Sequence, residues 1–382
     1  MNPKIKSLFQ LVAVVLTAAR ALALNIPSDG SDDDFRPTGD IVVDLSLAPT
    51  GSWNANNLAN AGKGVYDSNK WAVVFKYKSI TIPAGVKVTF INHKSRAPVV
   101  WLVQGNVQID GTVSVAGQDG PRDPIALLKP AEPGPGGFRG GASGPSGIGS
   151  GYGIAGGNAP YGCCGVLIGA GGFASAYGNP QILPLVGGSG GHGGGGGAIL
   201  IATSGEASIN GLIDASGGIG NQSGSGGAVR VIGQLVSGVG QITALNDGRI
   251  RIETPALAST LRTSPETIAV TPPTNPILWP ADDAPTVRVL TVDGQAAPDD
   301  PTAPVFSTSD VAVQSNGTVQ VILETKNFPI QGVVQLRFER KFNGHGWVTA
   351  AYSAGDFAHS TWIANVTFAP GFTTLQARAT VP

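Results

Sequence analysis

Residues 99–117 read VVWLVQGNVQIDGTVSVAG and residues 199–217 read ILIATSGEASINGLIDASG, two blocks that align without a gap at an offset of 100 residues. Apolar residues alternate with polar ones, and the runs break at Gly105, Asp110-Gly111, Gly205 and Asn210-Gly211. Alternation marks short strands with one buried face, and Asp-Gly or Asn-Gly marks the tight turns between them. A supersecondary unit that recurs cannot bury its apolar face alone, so its copies must stack. The blocks therefore predict an all-β chain in which Ile109 and Ile209 point into one interior.

The pattern extends outward from these blocks. In Ile80 to Phe90, Ile80 and Ile82 share one face, and Val86, Val88 and Phe90 share one after the Pro83-Ala84-Gly85 turn. Three further strands carry one signature: Gly197 with Ile199 and Ile201, Gly227 with Val229 and Val231, and Gly248 with Ile250 and Ile252. Glycines 30 and 21 residues apart suit the unequal rounds of a parallel β-helix, a solenoid with Val99, Ile199, Val229 and Ile250 as one inner ladder. A sandwich of antiparallel hairpins is the competing reading, and the unequal spacing favours the solenoid.

This reading divides the chain. Residues 1–23 follow the secretory pattern, with Lys4 and Lys6, an apolar run from Leu8 to Leu16, and Ala21-Leu22-Ala23 as a small-residue cleavage site. Arg20 and Gln10 depart from that pattern, so an uncleaved anchor is the alternative. Residues 24–40 read as a flexible acidic lead-in, and residues 41–254 as the β-helix with a glycine-rich insertion at 118–197. From Gly140 to Gly205 there is no Asp, Glu, Lys or Arg. Glycine at this density is costly to order, so Phe173, Tyr177, Ile182 and Leu185 are the anchors available if the segment folds. Residues 255–285, with Pro272-Pro273, Pro276 and Pro280, read as a proline-rich linker or a final cap. Seven short strands over 286–382 fit an immunoglobulin-like sandwich without a disulfide.

Composition narrows the function. Only 13% of residues are charged and the net charge is -1, so the basic stripe of a nucleic-acid partner is missing. The 56 glycines sit beside 42% hydrophobic residues, which argues for packing rather than disorder. Both cysteines are adjacent, Cys163-Cys164, so they form either two small buried residues or a strained vicinal disulfide, and no scaffold of bridges.

Ile80 to Phe90, the Asp-Gly and Asn-Gly rounds, Pro135-Gly136-Gly137-Phe138-Arg139-Gly140-Gly141 and Gly248-Arg249-Ile250-Arg251-Ile252-Glu253 together resemble secreted bacterial glycine-rich proteins of the right-handed parallel β-helix type. Those proteins are similar to the pectin-lyase-like superfamily and to autotransporter passengers, and the last hundred residues resemble bacterial immunoglobulin-like modules. The resemblance implies a fold. Its motifs are structural, so it implies little about activity.

Some β-helix proteins cleave acidic polysaccharides with clustered carboxylates. Gly191-His192-Gly193 and Arg249-Ile250-Arg251 echo such a site, but no Asn-Thr-Asp occurs, and the Asp-Asp pairs fall in the N-terminal tail, at Asp282-Asp283 and at Asp299-Asp300, outside the expected helix. Arg249 and Arg251 share the outer face of a strand, where they either meet a sugar acid or form a solvated face balanced by Glu253. Trp347, Trp362 and Tyr352 read either as a sugar-stacking platform or, more commonly for such residues, as sandwich core. Gly151-x-Gly153-x-x-Gly156 and Gly187-x-Ser189-x-Gly191 mimic dinucleotide and nucleophile motifs without the strand-to-helix setting those need. The histidines His93, His192, His345 and His359 are too scattered to argue a metal site.

The sequence thus predicts an exported, non-enzymatic structural or adhesive protein, secreted or at the cell surface, with no cofactor, metal or nucleic acid. Its expected partner is an extracellular polysaccharide or cell-surface component. Candidate carbohydrate contacts are Arg249, Arg251, Trp347 and Trp362. The alternatives are a polysaccharide-binding or lyase-like protein and a self-assembling surface subunit.

Overall fold

The computed structural model describes residues 23–55, 61–120, 130–141, 143–144, 147–148, 151–154, 177–220, 222–302, 309–314, 317–340, 345–368 and 371–381. Residues 1–22, Cys163, Cys164 and Phe173 lie outside them. The protein is all-β, with three six-stranded sheets built almost wholly from parallel pairs, followed by an antiparallel region.

Sheet I contains Ala72–Tyr77, Val99–Val103, Ala198–Thr203, Ala228–Ile232 and Arg249–Glu253 in parallel, with Val65–Asp67 antiparallel at one edge. Sheet II contains Asp34–Phe35, Ser79–Ile82, Val107–Ile109, Glu206–Ile209, Leu235–Gly238 and Leu257–Ser259. Sheet III contains Ile41–Asp44, Lys87–Ile91, Thr112–Ser114, Leu212–Asp214, Gln241–Thr243 and Arg262–Ser264. From residue 72 to residue 264 the chain visits sheets I, II and III in turn, round after round.

The offset of 100 residues in the sequence is a pairing register in space. Ile199 pairs with Val99, Ile209 with Ile109 and Ile213 with Val113. Val229 continues the first ladder to Ile250. Ile109 and Ile209 are both buried in one apolar cluster that draws on the inner faces of all three sheets. At roughly 1.5–3 kcal/mol for each fully buried aliphatic side chain, these ladders are the main source of cohesion in the stack.

Sheet I is buried on both faces: every residue of Val99–Val103, Ala198–Thr203 and Ala228–Ile232 is inaccessible. Its outer residues Val74, Val100, Leu102, Leu200 and Ala202 form a second cluster with Leu24, Ile26, Ile182, Leu185 and Leu278. Three segments that read as loops are therefore covers. The lead-in is tied down over residues 24–35. Its Leu24 amide donates to Gln234 Oε1 at 2.9 Å, Ile26 to Ser204 Oγ at 3.3 Å, and the Ser28 hydroxyl to Tyr77 O at 3.0 Å, and Asp34–Phe35 then pairs with Ser79 and Ile80. This strap runs from a late round of the stack to the first. Its acidic residues divide: Asp32, 8% exposed, takes amides of Lys76 and Gly62 at 2.7 and 2.8 Å, whereas Asp29, Asp33 and Asp34 are exposed, Asp29 pairing with Lys76 Nζ at 2.9 Å.

Residues 255–285 are not a free linker either. Leu257–Ser259 and Arg262–Ser264 are the last strands of sheets II and III, Leu261 and Ala269 pack on the inner core, and Leu278 closes the outer cluster. Proline here ends the pairing instead of loosening the chain.

The corner between sheets III and I holds the glycine-rich segments of successive rounds, hydrogen-bonded main chain to main chain. Gly188 N donates to Gly196 O at 2.7 Å, Gly195 N to Phe138 O at 2.9 Å and Gly196 N to Ser225 O at 2.9 Å. The approach is too close for any side chain: a Cβ at Gly195 would lie 1.9 Å from Gly188 O, and one at Gly196 2.0 Å from Ala215 O. Residues 185–197 are buried, anchored by Ile182 and Leu185 as expected.

The C-terminal region has two antiparallel sheets. One orders Gln295–Ala296, Thr286–Val292, Thr318–Lys326, His359–Thr367 and Ala351–Gly355; the other orders His345–Thr349, Val333–Arg340 and Thr373–Thr380. Val319, Val321, Leu323, Val334, Leu336 and Trp362 fill the core between them. This region touches the stack: Tyr66 donates to Asp300 Oδ1 at 2.7 Å, and the Gly153 amide to Gln376 Oε1 at 3.1 Å.

Candidate functional site

The four residues singled out as carbohydrate contacts are engaged inside the protein. Arg249 Nη2 donates to Val186 O at 2.8 Å and its guanidinium lies 5.7 Å from the Tyr177 ring centroid. Burial lowers the Arg249 pKa below the usual arginine value. Arg251 donates to Glu253 Oε1 at 2.7 Å and to Pro180 O at 3.3 Å. Glu253 is not the exposed counter-charge that the alternation suggested. It is 3% exposed, shared between Arg251 and the equally buried Arg230. The two arginines thus hold the carbonyls of Pro180 and Val186 against sheet I, and both also line an open pocket of about 360 Å³ with Ile182 and Thr267.

Trp362 is core, its indole N–H donating to Thr325 Oγ1 and Ser360 Oγ at 3.1 Å. The half-buried Trp347 ring is covered by the guanidinium groups of Arg378 at 3.8 Å and Arg337 at 5.9 Å. Tyr352 alone of the three is exposed, edge-on to Trp362. Ser189, the mimic of a nucleophile, is wholly buried in the glycine corner.

A second, larger open cleft lies at a place the sequence reading passed over. It has a volume of about 750 Å³ and is walled by the loop 89–96, the segment 114–118, insertion residues 132–135 and Thr302 of the C-terminal region. Strand Lys87–Ile91 ends at this loop, and the polar run Asn92-His93-Lys94-Ser95-Arg96 carries the chain from sheet III back to sheet I. Arg96, held at a positive φ of 54°, forks onto Glu132 at 2.9–3.2 Å. Asn92 Nδ2 donates to Pro133 O at 2.9 Å, so both contacts tie the insertion to the loop. His93 stacks on Tyr66 with centroids 4.0 Å apart, and its Nδ1 accepts from the Ser95 amide at 3.2 Å. Burial, aided by nearby Lys94 and opposed by Asp300, lowers the His93 pKa and keeps the ring neutral near pH 7. Because Tyr66 in turn reaches Asp300, the cleft wall and the C-terminal region are one connected structure.

The surfaces left open in the cleft are Lys94, Ile91 and Gln118, all exposed, with Thr89 and Ser114 half-buried, while Phe90 turns inward onto the core near Trp101. Among the described residues Glu132 is the one carboxylate in the lining, and Arg96 holds it. Hydrolysis of a glycosidic bond needs a proton donor and a second carboxylate, and the described part of the cleft shows Glu132 alone. The cleft's one visible signal in the sequence was the cationic run between two apolar strands; the partner, Glu132, reaches it only through the fold.

No family model, no curated protein and no solved structure matches the chain. Among the described residues no helix is long and apolar enough to cross a membrane.

Proposed function

We propose that the protein is an exported structural or adhesive component of the cell surface or extracellular matrix: a parallel β-helix that presents loops, followed by an immunoglobulin-like sandwich. The observation that carries this reading is the strap at 24–35, which begins directly after the small-residue cleavage motif and lies across the rounds of the stack. Cleavage after Ala23 leaves that strap whole, and a stack tied from late round to first is hard to unravel or digest. Continuous inner ladders, a glycine corner that excludes side chains and the covered outer face of sheet I all favour a stiff, long-lived scaffold over a machine with moving parts.

The test is fractionation of producing cells with N-terminal sequencing of the exported form, followed by attachment assays on a deletion strain. Export with Leu24 as first residue and reduced attachment supports the reading; retention in the cytoplasm overturns it. The cleft favours a second reading, polysaccharide binding. Self-assembly through an open end of the stack has less support, since Ala269 packs against the inner core and Val270 bridges to Glu253 beyond the last strand of sheet I.

A further inference from the structure

We infer that the last strand of sheet I is a docking edge for an extended acidic peptide, a segment of a partner protein in which carboxylate and aliphatic side chains alternate. This goes beyond the surface role proposed above and does not depend on it. Arg249–Glu253 ends the sheet, whereas the opposite end is closed by the antiparallel strand Val65–Asp67. Arg249 N donates into the stack, to Gly227 O at 2.9 Å. Strand residues turn their main-chain groups to alternate sides, so those of Ile250 and Ile252 face away from the stack. At Ile252 the carbonyl is taken by Val270 N at 3.0 Å, and Val270 makes a single bridge, to Glu253. The next round thus covers only the far end of the strand. Among the described residues, Ile250 N, Ile250 O and Ile252 N meet no hydrogen-bond partner. In front of them lies the open pocket of about 360 Å³, between Arg249–Arg251 and the segment that carries Thr267 and Ile268.

Charge selects the occupant. The pocket lining holds two arginines and, among the described residues, no carboxylate. Glu253 is divided between Arg251 and the buried Arg230. Arg249 has the Val186 carbonyl and the Tyr177 ring, and its Nη1 has no hydrogen-bond partner among the described residues. Asp247 and Glu266 stand nearby in sequence, but both are exposed and neither is within ion-pair distance of these arginines. An excess of partly buried cations favours an anionic partner and suppresses a cationic one. The side-chain ranks set the pattern. Ile250 ends the inner aliphatic rank Ile199–Val229, and Arg251 ends the outer rank through Arg230. An added strand continues both at once, with an aliphatic residue beside Ile250 and a carboxylate beside Arg251, because its alternate side chains face opposite ways. A free small anion would meet the arginines and leave the main-chain groups of Ile250 unpaired.

The experiment is fluorescence anisotropy titration of the purified full chain with end-capped, labelled peptides: TVEVEVT, the same peptide with lysine for glutamate, and TVEVEVT with alternate amides N-methylated in each of the two possible settings. The expected result is saturable binding of TVEVEVT, affinity weaker by about tenfold or more for the lysine peptide, and loss of binding when the methyl groups fall on the pairing edge. Amide hydrogen exchange locates the site: the bound peptide should slow exchange at Ile250 and Ile252 and leave Val229, already paired on both sides, unchanged. Ile268→Glu should lower affinity by about tenfold without moving the thermal midpoint, since Ile268 is 85% exposed; Ile277→Glu, 62% exposed and outside the pocket lining, should change neither. The inference is overturned if TVEVEVT does not bind, if the lysine peptide binds equally well, if neither methylated form is weakened, or if exchange at Ile250 is unaffected. Sedimentation showing that a second copy of the chain fills this edge would also overturn it. Failure of peptide binding in a protein that is exported and supports attachment would remove this site and leave the surface role standing; a cytoplasmic protein that binds the peptide would do the reverse.

Discussion

The parallel stack and the antiparallel C-terminal region are both all-β, yet they are held by different forces. In the stack, like residues lie on like: Val99 on Ile199 on Val229 on Ile250, with main chain against main chain at the glycine corner. Charges are rare there and serve to tie covers down, as Arg249 and Arg251 tie 180–186. In the C-terminal region, sequence-distant strands pair without repetition, and polar contacts cross between them: Glu324, 8% exposed, forms an ion pair with Arg288 and a hydrogen bond with His359 Nε2 at 2.6 Å. Repetition lets one contact serve many rounds; without it each contact must be specified separately.

The contrast is sharpest at glycine. Gly195→Ala forces a Cβ to 1.9 Å from a backbone oxygen that cannot move without breaking the corner, so we expect the stack to lose more than about 4 kcal/mol or fail to fold. Gly294→Ala, in a turn of the C-terminal region at a φ of 75° with nothing within 4 Å, should cost only about 1–2 kcal/mol of backbone strain. Urea unfolding with hydrogen exchange to localise each transition reads both. Equal effects would mean that the corner is not close-packed.

Next in size, Ile109→Ala and Ile209→Ala should each cost about 2–5 kcal/mol, and the double variant should depart from their sum because the two side chains are direct neighbours in one ladder. Strict additivity would place them in separate cores. The strap comes third: Leu24→Asp buries a charge in the outer cluster and should cost about 2–4 kcal/mol, read as a lower midpoint and faster protease entry at residues 24–35.

The smallest effect is with pH, and the two regions should respond in opposite senses. Burial raises the Glu324 pKa, but the hydrogen bonds from Arg288 and His359 outweigh it and hold the carboxyl below its ordinary 4.5. That stabilisation is present above pH 4.5 and is lost as pH falls through the lower folded value. Asp32 is the reverse: burial, larger than its three amide hydrogen bonds, raises it above 3.8. Its contribution is full below pH 3.8 and is lost as pH rises through the raised value. Glu324→Gln should therefore flatten the acid limb of the C-terminal transition, and Asp32→Asn that of the stack.

Much of the stack was legible in the sequence because repetition repeats its evidence: Gly197, Gly227 and Gly248 each announce the strand that follows, and the turn at Asp110-Gly111 recurs at Asn210-Gly211. The covers were not legible. Leu24, Ile26, Ile182, Leu185 and Leu278 are scattered apolar residues in polar or proline-rich surroundings, and no period reveals that all five meet one sheet. The continuous apolar run Val99–Val103, buried on both faces, was the available hint that a cover must exist. The cleft was hidden for a like reason, since Lys94 and Glu132 belong to segments that only the corner brings together. Trp362 is core, the commoner of its two readings, and Arg249 was hard to read because an exposed functional group and an internally satisfied one have the same letter.

The most direct test of the stack is a cross-link between its repeats. In a Cys163→Ser, Cys164→Ser background, Gln108→Cys with Ser208→Cys places thiols on paired strands about 4.8 Å apart, within disulfide range. Mild oxidation followed by peptide mass spectrometry should find that bond in nearly all molecules, whereas Gln108→Cys with Ile209→Cys, whose side chains point to opposite faces, should stay reduced. Equal cross-linking of both pairs, or of neither, would contradict the stacked register.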